Sequence, residues 1–433
     1  MSLPRYPEYK DSGVDWLGEV PAHWAINPFY SLASERTEPN SGMLEDNLLS
    51  LSYGRIVRKN IESNDGLLPE SFETYQIVKP GDIVFRLTDL QNDKRSLRTA
   101  IVEEQGIITS AYLAAKPTGL QSGYLSHLLR AYDVTKVFYS MGGGLRQSMK
   151  FSDIKRLPTL APSAEEQTSI ATFLDRETAK IDGLIAEQEK LIALLAEKRQ
   201  ATISHAVTKG LNPDAPLKDS GVAWLGEVPA HWSVQTLQRC VYVAEGQVNP
   251  ELQPYCSMLL IAPNHIESGS GRLLYFETAE EQSAESGKYL CQAGDVIYSK
   301  IRPALRKVCI APEACLCSAD MYPMRGTAGL SNKFLMWFML SEPFSAFAAL
   351  ESERVAMPKI NRESLKEVWL SLPPPEEQGA ISTLLDSETA RLDALTTEAT
   401  RGIALLKERR AALISAAVTG KIDVRNLAEQ KAA

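Results

Sequence analysis

Residues Pro162 to Gly210 read PSAEEQTSIATFLDRETAKIDGLIAEQEKLIALLAEKRQATISHAVTKG, and the stretch returns almost intact as Pro373 to Gly420. A shift of 211 residues carries Glu165 onto Glu376 and holds without a gap as far as Thr208 and Thr419, with 25 of the 44 positions identical. Ser163-Ala164-Glu165-Glu166 reads as a capping box, in which the hydroxyl and the third carboxylate each satisfy an orphan backbone N–H. Pro375 suits a first helical turn, where its missing N–H costs nothing. Ala, Leu, Glu, Lys and Arg fill the interiors, and Gly210 and Gly420 are natural stops. Large apolar side chains at Ile170, Leu174, Ile181, Leu184, Leu191 and Leu195, with Glu177 and Gln188 between them, follow a four-three spacing. Ile381, Leu385, Leu392, Leu395 and Leu406 repeat it, weakened by Gly402 and by Thr396, Thr397 and Thr400. The spacing predicts a coiled-coil-like stripe. About 40 helical residues at about 1.5 Å each give a rod of roughly 60 Å. A lone amphipathic helix of that length cannot bury its stripe, so the two copies are expected to pack on each other.

A second repeat brackets the first. Lys10-Asp-Ser-Gly-Val-Asp-Trp-Leu-Gly-Glu-Val-Pro-Ala-His-Trp24 returns as Lys218 to Trp232 with one change, Asp15 against Ala223. The chain is therefore a tandem repeat of short motif, divergent segment and long helix. Each short motif is rich in Trp, Gly and Pro, which predicts a packed irregular clasp; Trp16, Trp24, Trp224 and Trp232 need burial. In the divergent segments, apolar runs at Ile77-Val78, Ile83-Val84-Phe85, Ala100-Ile101-Val102 and Ile107-Ile108 alternate with turn signals and predict short strands. Their counterparts are Gly294 to Tyr298, Val308-Cys309-Ile310 and Cys317-Ser318-Ala319. Helices are expected at Gly123 to Tyr139 and Asn332 to Leu350. The fold class is α/β (α+β), with mixed domains at 1–161 and 211–374, helices at 162–210 and 375–421, and a tail at 422–433.

The 433 residues suffice for two or three domains, and 44% hydrophobic content is ordinary for a soluble globular protein. No run of 18 apolar residues and no apolar leader at Met1 to Pro7 are present, so no membrane span is expected and the chain is placed in the cytoplasm. Cys240, Cys256, Cys291, Cys309, Cys315 and Cys317 form no C-x-x-C pair or Cys/His zinc pattern and read as buried thiols. Net charge is −8, which argues against a uniformly basic surface but not against a local basic groove.

Basic residues recur at matching places. Arg86, Lys94, Arg95 and Arg98 follow the Gly81-Asp82 strand, as Lys300, Arg302, Arg306 and Lys307 follow Gly294-Asp295. Arg146, Lys150, Lys155 and Arg156 precede the first long helix; Arg354, Lys359, Arg362 and Lys366 precede the second. Recurrence in both domains points to phosphate and base contacts. Arg55, Arg58 and Lys59 form a third cluster without a match. Gly142-Gly143-Gly144 lacks the Lys-Ser/Thr of a phosphate loop and reads as a connection. Asn27-Pro28-Phe29-Tyr30 lacks the second Pro of a target-base motif and reads as a loop. His23 and His231 lie in the clasps and are expected to be packed or hydrogen-bonded; His127, His205 and His265 occupy unrelated contexts and form no catalytic or metal cluster.

Clasps ending Trp16-Leu17-Gly18-Glu19-Val20-Pro21-Ala22-His23-Trp24, lead-ins Leu157-Pro158 and Leu372-Pro373, and helices opened by Glu166-Gln167 and Glu377-Gln378 together resemble the specificity subunits of type I restriction-modification systems. The resemblance covers nearly the whole chain. It implies two target-recognition domains separated by two antiparallel spacer helices in a pseudo-two-fold coiled coil. It implies no catalysis and no cofactor in this chain. Two methyltransferase subunits using S-adenosylmethionine and two restriction subunits using ATP and Mg²⁺ would do the chemistry. Unlike domains at inverted ends of a rod predict a bipartite, asymmetric target on double-stranded DNA, with half-sites about 10 bp apart. Bases would be read by Arg or Lys at guanine and by Asn or Gln at adenine. The candidate DNA-binding residues are Arg86, Arg95, Arg98, Arg146, Lys150, Lys300, Arg302, Arg306, Lys307, Arg354 and Lys359. The alternative is a structural scaffold whose duplicated coiled coil spaces two protein-binding domains without touching DNA.

Overall fold

The long helices form as their composition requires. In the computed structural model, which describes residues 3–60, 69, 71–90, 97–141, 149–352 and 358–427, they span Ala164–Lys209, 46 residues, and Pro375–Val418, 44 residues. Ser163 and Glu166 close the expected capping box, with Ser163 N–H to Glu166 Oε2 and Glu166 N–H to Ser163 Oγ both at 3.3 Å. Gly210 and Gly420 stop the helices with φ of +76° and +72°, a conformation glycine adopts without strain.

The chain folds as two compact units, and the boundary cuts both helices. One comprises Met1–Gln188 and Arg401–Ala433, the other Glu189–Thr400. In the first unit the opening of the first helix runs antiparallel to the closing of the second. Ile170, Phe173 and Leu174 share a core with Ile414, Ala417 and Val418, and Arg410 donates to both oxygens of Asp182 at 2.9 and 3.2 Å. In the second unit the remaining halves do the same. Ile203, Ala206 and Val207 meet Ile381 and Leu385, and Arg199 Nε donates to Asp393 at 3.2 Å. The shift of 211 residues carries Asp182 onto Asp393 and Arg199 onto Arg410, so these are one ion pair written twice.

The stripe exists, but its register differs from the reading of leucines alone. In the first helix the less exposed positions are Leu174, Thr178, Ile181, Ile185, Gln188, Ile192, Leu195 and Arg199; the second matches them with Leu385, Thr389, Leu392, Thr396, Ala399, Ile403, Leu406 and Arg410. Leu184, Leu191 and Leu395, expected in the stripe, are exposed on its flank. Ile185, Ile192 and Thr396 take those places, because adjacent apolar residues leave the choice of face to packing rather than spacing.

Each unit carries one mixed domain around a four-stranded antiparallel sheet of the same order. In the first the order is Ala33–Glu35, Leu113–Pro117, Ile83–Phe85, Thr99–Ile101; in the second it is Val241–Val243, Met321–Gly326, Val296–Ser299, Val308–Ile310. A smaller layer follows. Gln76–Val78 pairs with Gly106–Ile108 in one domain, and Lys288–Cys291 with Cys315–Cys317 in the other. The expected strand at Cys317 to Ala319 thus lies two residues earlier, since the Met321 N–H turns back onto Ser318 O at 2.9 Å. The expected single helices are each broken in two. Ser122–Val134 gives way to Val137–Met141 at Lys136, whose φ is +64°. Asn332–Leu340 ends at Ser341, whose hydroxyl caps Phe338 O at 2.6 Å before Glu342–Ser352 begins.

The strands that lead into and out of each domain pair with one another. Ala25–Pro28 lies antiparallel to Pro158–Ala161, and Ser233–Thr236 to Trp369–Leu372. Every domain therefore begins and ends at one point on its helix frame.

Candidate nucleic-acid interface

The Glu-Gln pair that opens each long helix positions everything around it. Glu166 Oε1 lies 2.9 Å from His23 Nε2 and accepts the Trp24 indole N–H at 3.3 Å. Glu377 repeats this with His231 at 2.6 Å and Trp232 at 2.9 Å. Burial pushes the Glu166 carboxyl up, but hydrogen bonds from His23, Trp24 and Ser163 outweigh it and hold the group below the usual glutamate range. Gln167 faces the domain instead. Its carbonyl accepts the Gln121 N–H at 2.8 Å, at the start of the domain helix, while its amide donates to Pro162 O at 2.9 Å. Gln378 accepts the Ser331 N–H at 2.8 Å and donates to Pro373 O at 2.9 Å. Both histidines thus find the hydrogen bonds expected of them.

The clasps are more regular than their composition suggested. Tyr9–Asp11 pairs with Glu19–Pro21, and Leu217–Asp219 with Glu227–Pro229, as two-stranded ribbons. Each ribbon joins the start of one long helix to the end of the other within its unit. Trp24 is bonded to Glu166 and packs beside Gly420, and Trp232 is bonded to Glu377 and packs beside Gly210. Trp24 and Trp232 are buried as expected. Trp16 remains partly exposed, edge-on to Tyr132 at 4.5 Å.

Among the candidate cations of the second domain, three are held by the protein itself. Lys300 Nζ donates to Ala319 O at 2.6 Å, Lys307 Nζ to Pro263 O at 2.6 Å, and Arg306 pairs with Glu342. They brace the loop Ile301 to Arg306, in which Arg302 and Arg306 both adopt left-handed backbone, φ +47° and +48°. Such strain in non-glycine residues persists only where the surroundings enforce it. Arg302 N–H donates to Pro358 O at 2.9 Å and Ile301 bridges Lys359, so the backbones of Arg302 and Lys359 lie side by side. Both residues are exposed. Arg354 lies outside the described residues.

In the first domain Arg86 is half-buried and its N–H bonds Arg98 O at 2.8 Å. Arg98 is a correction: it is fully buried, and its guanidinium donates to Thr88 O, Asp89 O and Tyr139 Oη at 3.1, 3.4 and 3.3 Å. An arginine among acceptors of its own domain braces the loop. Lys150 is exposed at the start of a short helix, with Lys155 and Arg156 exposed beyond it. Lys94, Arg95, Arg146 and Gly142 to Gly144 lie outside the described residues. The return to the sheet is the same in both domains: Met149 N–H reaches Leu87 O, and Ile360 N–H reaches Lys300 O, each at 2.9 Å.

Sequence reading missed the clamp beneath each surface. Arg36 grips Asp82 at 2.8 and 2.9 Å, and Arg325 grips Asp295 at 2.8 and 3.0 Å, bidentate pairs on the aspartates of the two Gly-Asp turns. The repeated Gly-Asp was a signal for the acid, but the arginines come from sheet neighbours distant in sequence. Among the described residues no cluster of three or more His, Cys, Asp or Glu could hold a metal ion, and no described helix is long and apolar enough to cross a membrane. Cys240, Cys291, Cys309, Cys315 and Cys317 are buried thiols, and Cys256 is half-buried.

Two unlike domains thus stand on a repeated helical frame, and the second presents Arg302 and Lys359 beside a braced loop. A family model, the Type I restriction modification DNA specificity domain, matches residues 247–403. The chain is 27% identical over 411 residues to the type I restriction enzyme EcoDI specificity subunit of Escherichia coli, covering 88% of each. It is 23% identical to the putative MjaX specificity subunit of Methanocaldococcus jannaschii, over 94% of this chain and 96% of that one. Its fold matches a chain from a structure of type I R-M complex assembly and conformational transition, with a TM-score of 0.63 and 18% identity over 92% of this chain and 98% of that one. It also matches the HsdS subunit of Thermoanaerobacter tengcongensis, with a TM-score of 0.52 and 16% identity over 93% of this chain and 98% of that one. Over nearly its whole length the chain is thus similar to the type I restriction-modification specificity subunits. The matched domain is one of DNA specificity, and these relatives are specificity subunits.

Proposed function

We propose that the two domains, residues 1–161 and 211–374, read the two unlike halves of a bipartite, asymmetric target in double-stranded DNA. The helices 162–210 and 375–421 act as spacers, and 422–433 as a tail. The observation that carries this reading is the loop Ile301 to Arg306, braced by Lys300, Arg306 and Lys307 so that Arg302 stands exposed beside Lys359. Arg302 suits a guanine edge, and Lys359 a phosphate or base. Arg86 and Lys150 serve the first domain, with Arg95, Arg146 and Arg354 as further candidates. Arg98, Lys300, Arg306 and Lys307 support loops instead of touching DNA.

Two methyltransferase subunits dock on the chain, and two restriction subunits join them. Supporting this is a matched pair of exposed leucines in each unit. Leu184 and Leu405 are 53% and 56% exposed in the first, and their repeats Leu395 and Leu194 are 47% and 52% exposed in the second. Those partners bring S-adenosylmethionine, ATP and Mg²⁺, and the complex works in the cytoplasm. The test is an electrophoretic shift with the chain and its methyltransferase subunits on random and target duplexes at two salt concentrations. A DNA reader loses affinity steeply with salt. Arg302→Ala should relax one target position, at a cost of about 1–3 kcal/mol in discrimination. Binding indifferent to salt and to this substitution would remove the reading.

A further inference from the structure

The second domain touches the long helices at a point that matters for its loop. Arg199, on the first long helix, uses its whole guanidinium: Nε donates to Asp393 at 3.2 Å, Nη1 to Gly269 O at 2.6 Å and Nη2 to Ser270 O at 3.3 Å. Arg272 approaches the same Asp393 at 3.8 Å and is itself held by Glu267 at 2.8 Å. Gly269, in left-handed backbone at φ +71°, then donates its N–H to Arg306 O at 3.1 Å. Arg306 ends the loop whose other end is Arg302, and its N–H closes back on Pro303 O at 2.8 Å. A continuous path of hydrogen bonds therefore runs from the helix pair, through a turn tip, to the strained loop.

The first unit repeats the seat. Asp182 takes Arg410 from the other long helix, and Arg55, beside the tip of the Leu49–Ser52 and Arg55–Arg58 hairpin, reaches Asp182 at 3.9 Å. Two domains with little sequence in common both set a turn arginine on the equivalent aspartate. Recurrence in unlike surroundings argues that the contact does more than fill space.

We propose that Arg199, seated on Asp393, is a positioning residue for specificity, which fixes the Arg302 loop through the Gly269–Ser270 tip. The proposal rests on the reading that Arg302 contacts DNA. A guanidinium is suited to the task because its planar fork fixes two carbonyls and a carboxylate at once; an ammonium keeps the charge but not the geometry.

The experiment uses the full chain with its methyltransferase subunits and a target established by mapping methylated bases. Binding is measured on the intact target and on duplexes altered in one half at a time, for wild type, Arg199→Lys, Arg199→Ala and Arg302→Ala, with the thermal midpoint of each complex. Arg199→Lys should lose about tenfold of the discrimination at the half read by the second domain, on the scale of one or two hydrogen bonds. Discrimination at the other half should be unchanged. A merely structural arginine would lower the midpoint and leave both ratios intact, which overturns the proposal if Arg302→Ala alone loses discrimination. If Arg302→Ala also leaves the ratio unaltered, the underlying reading of Arg302 falls with it.

Discussion

Glu166 holds three partners, His23, Trp24 and Ser163, with one carboxylate. Its folded-state carboxyl is held below the usual range by His23, Trp24 and Ser163 in spite of burial. The stabilisation is therefore complete above the ordinary glutamate pKa and is lost as pH falls through the folded value. Glu166→Gln should cost about 1–3 kcal/mol at pH 7, and its deficit against wild type should shrink on acidification below pH ~4, as read from urea midpoints at both pH values. A deficit constant with pH would mean that the carboxylate charge is not what holds the clasp. Gly420 makes a second residue-scale test. A Cβ there would fall 2.3 Å from Pro21 Cδ, against 3.1 Å from the Trp232 ring at Gly210, and both residues have positive φ. Gly420→Ala should therefore lower stability by about 1–3 kcal/mol, and by more than Gly210→Ala, in thermal denaturation of the two variants. Arg98 shows what residue type alone does not reveal. Its place in a basic cluster was legible, whereas its burial among Thr88 O, Asp89 O and Tyr139 depends on contacts up to 41 residues away.

At the scale of elements, the long helices and their caps could be read because their signals are local. Capping box, glycine stop and apolar spacing all lie within a few residues of the feature they specify. The seam register could not be read so simply: Leu184-Ile185 and Leu191-Ile192 offer apolar residues to both faces, and the facing helix chooses. Leu184→Lys should accordingly change the stability of the chain by less than about 0.5 kcal/mol, while Ile185→Ala costs roughly 2 kcal/mol or more. Chemical denaturation of both variants checks the assignment, and equal losses would restore the leucine seam. The strands came out at or near their expected positions, since turn signals bound them. The pairing of the incoming and outgoing strands, Ala25–Pro28 with Pro158–Ala161, spans more than a hundred residues and leaves no local trace. The same holds for Arg36 on Asp82, where only the aspartate had a recognisable context.

The whole molecule is a frame written twice that carries two unlike domains. Each unit presents one leucine from either helix at matched positions, so each should dock one methyltransferase subunit. Leu184→Glu with Leu405→Glu is expected to reduce the mass of the purified complex by one methyltransferase subunit, measured by light scattering, with the chain still folded. Retention of both subunits would place docking elsewhere. Because incoming and outgoing strands meet, residues 237–368 are bounded by paired strands at Ser233–Thr236 and Trp369–Leu372 and can be exchanged as a block. The most direct measurement maps methylated bases in DNA treated with the complex before and after that block is replaced by its counterpart from a relative. The wild-type complex should mark one bipartite motif with unlike halves, and the exchange should rewrite one half while the other keeps its sequence. A single continuous motif, or the loss or rewriting of both halves together, would contradict two independent readers on one frame.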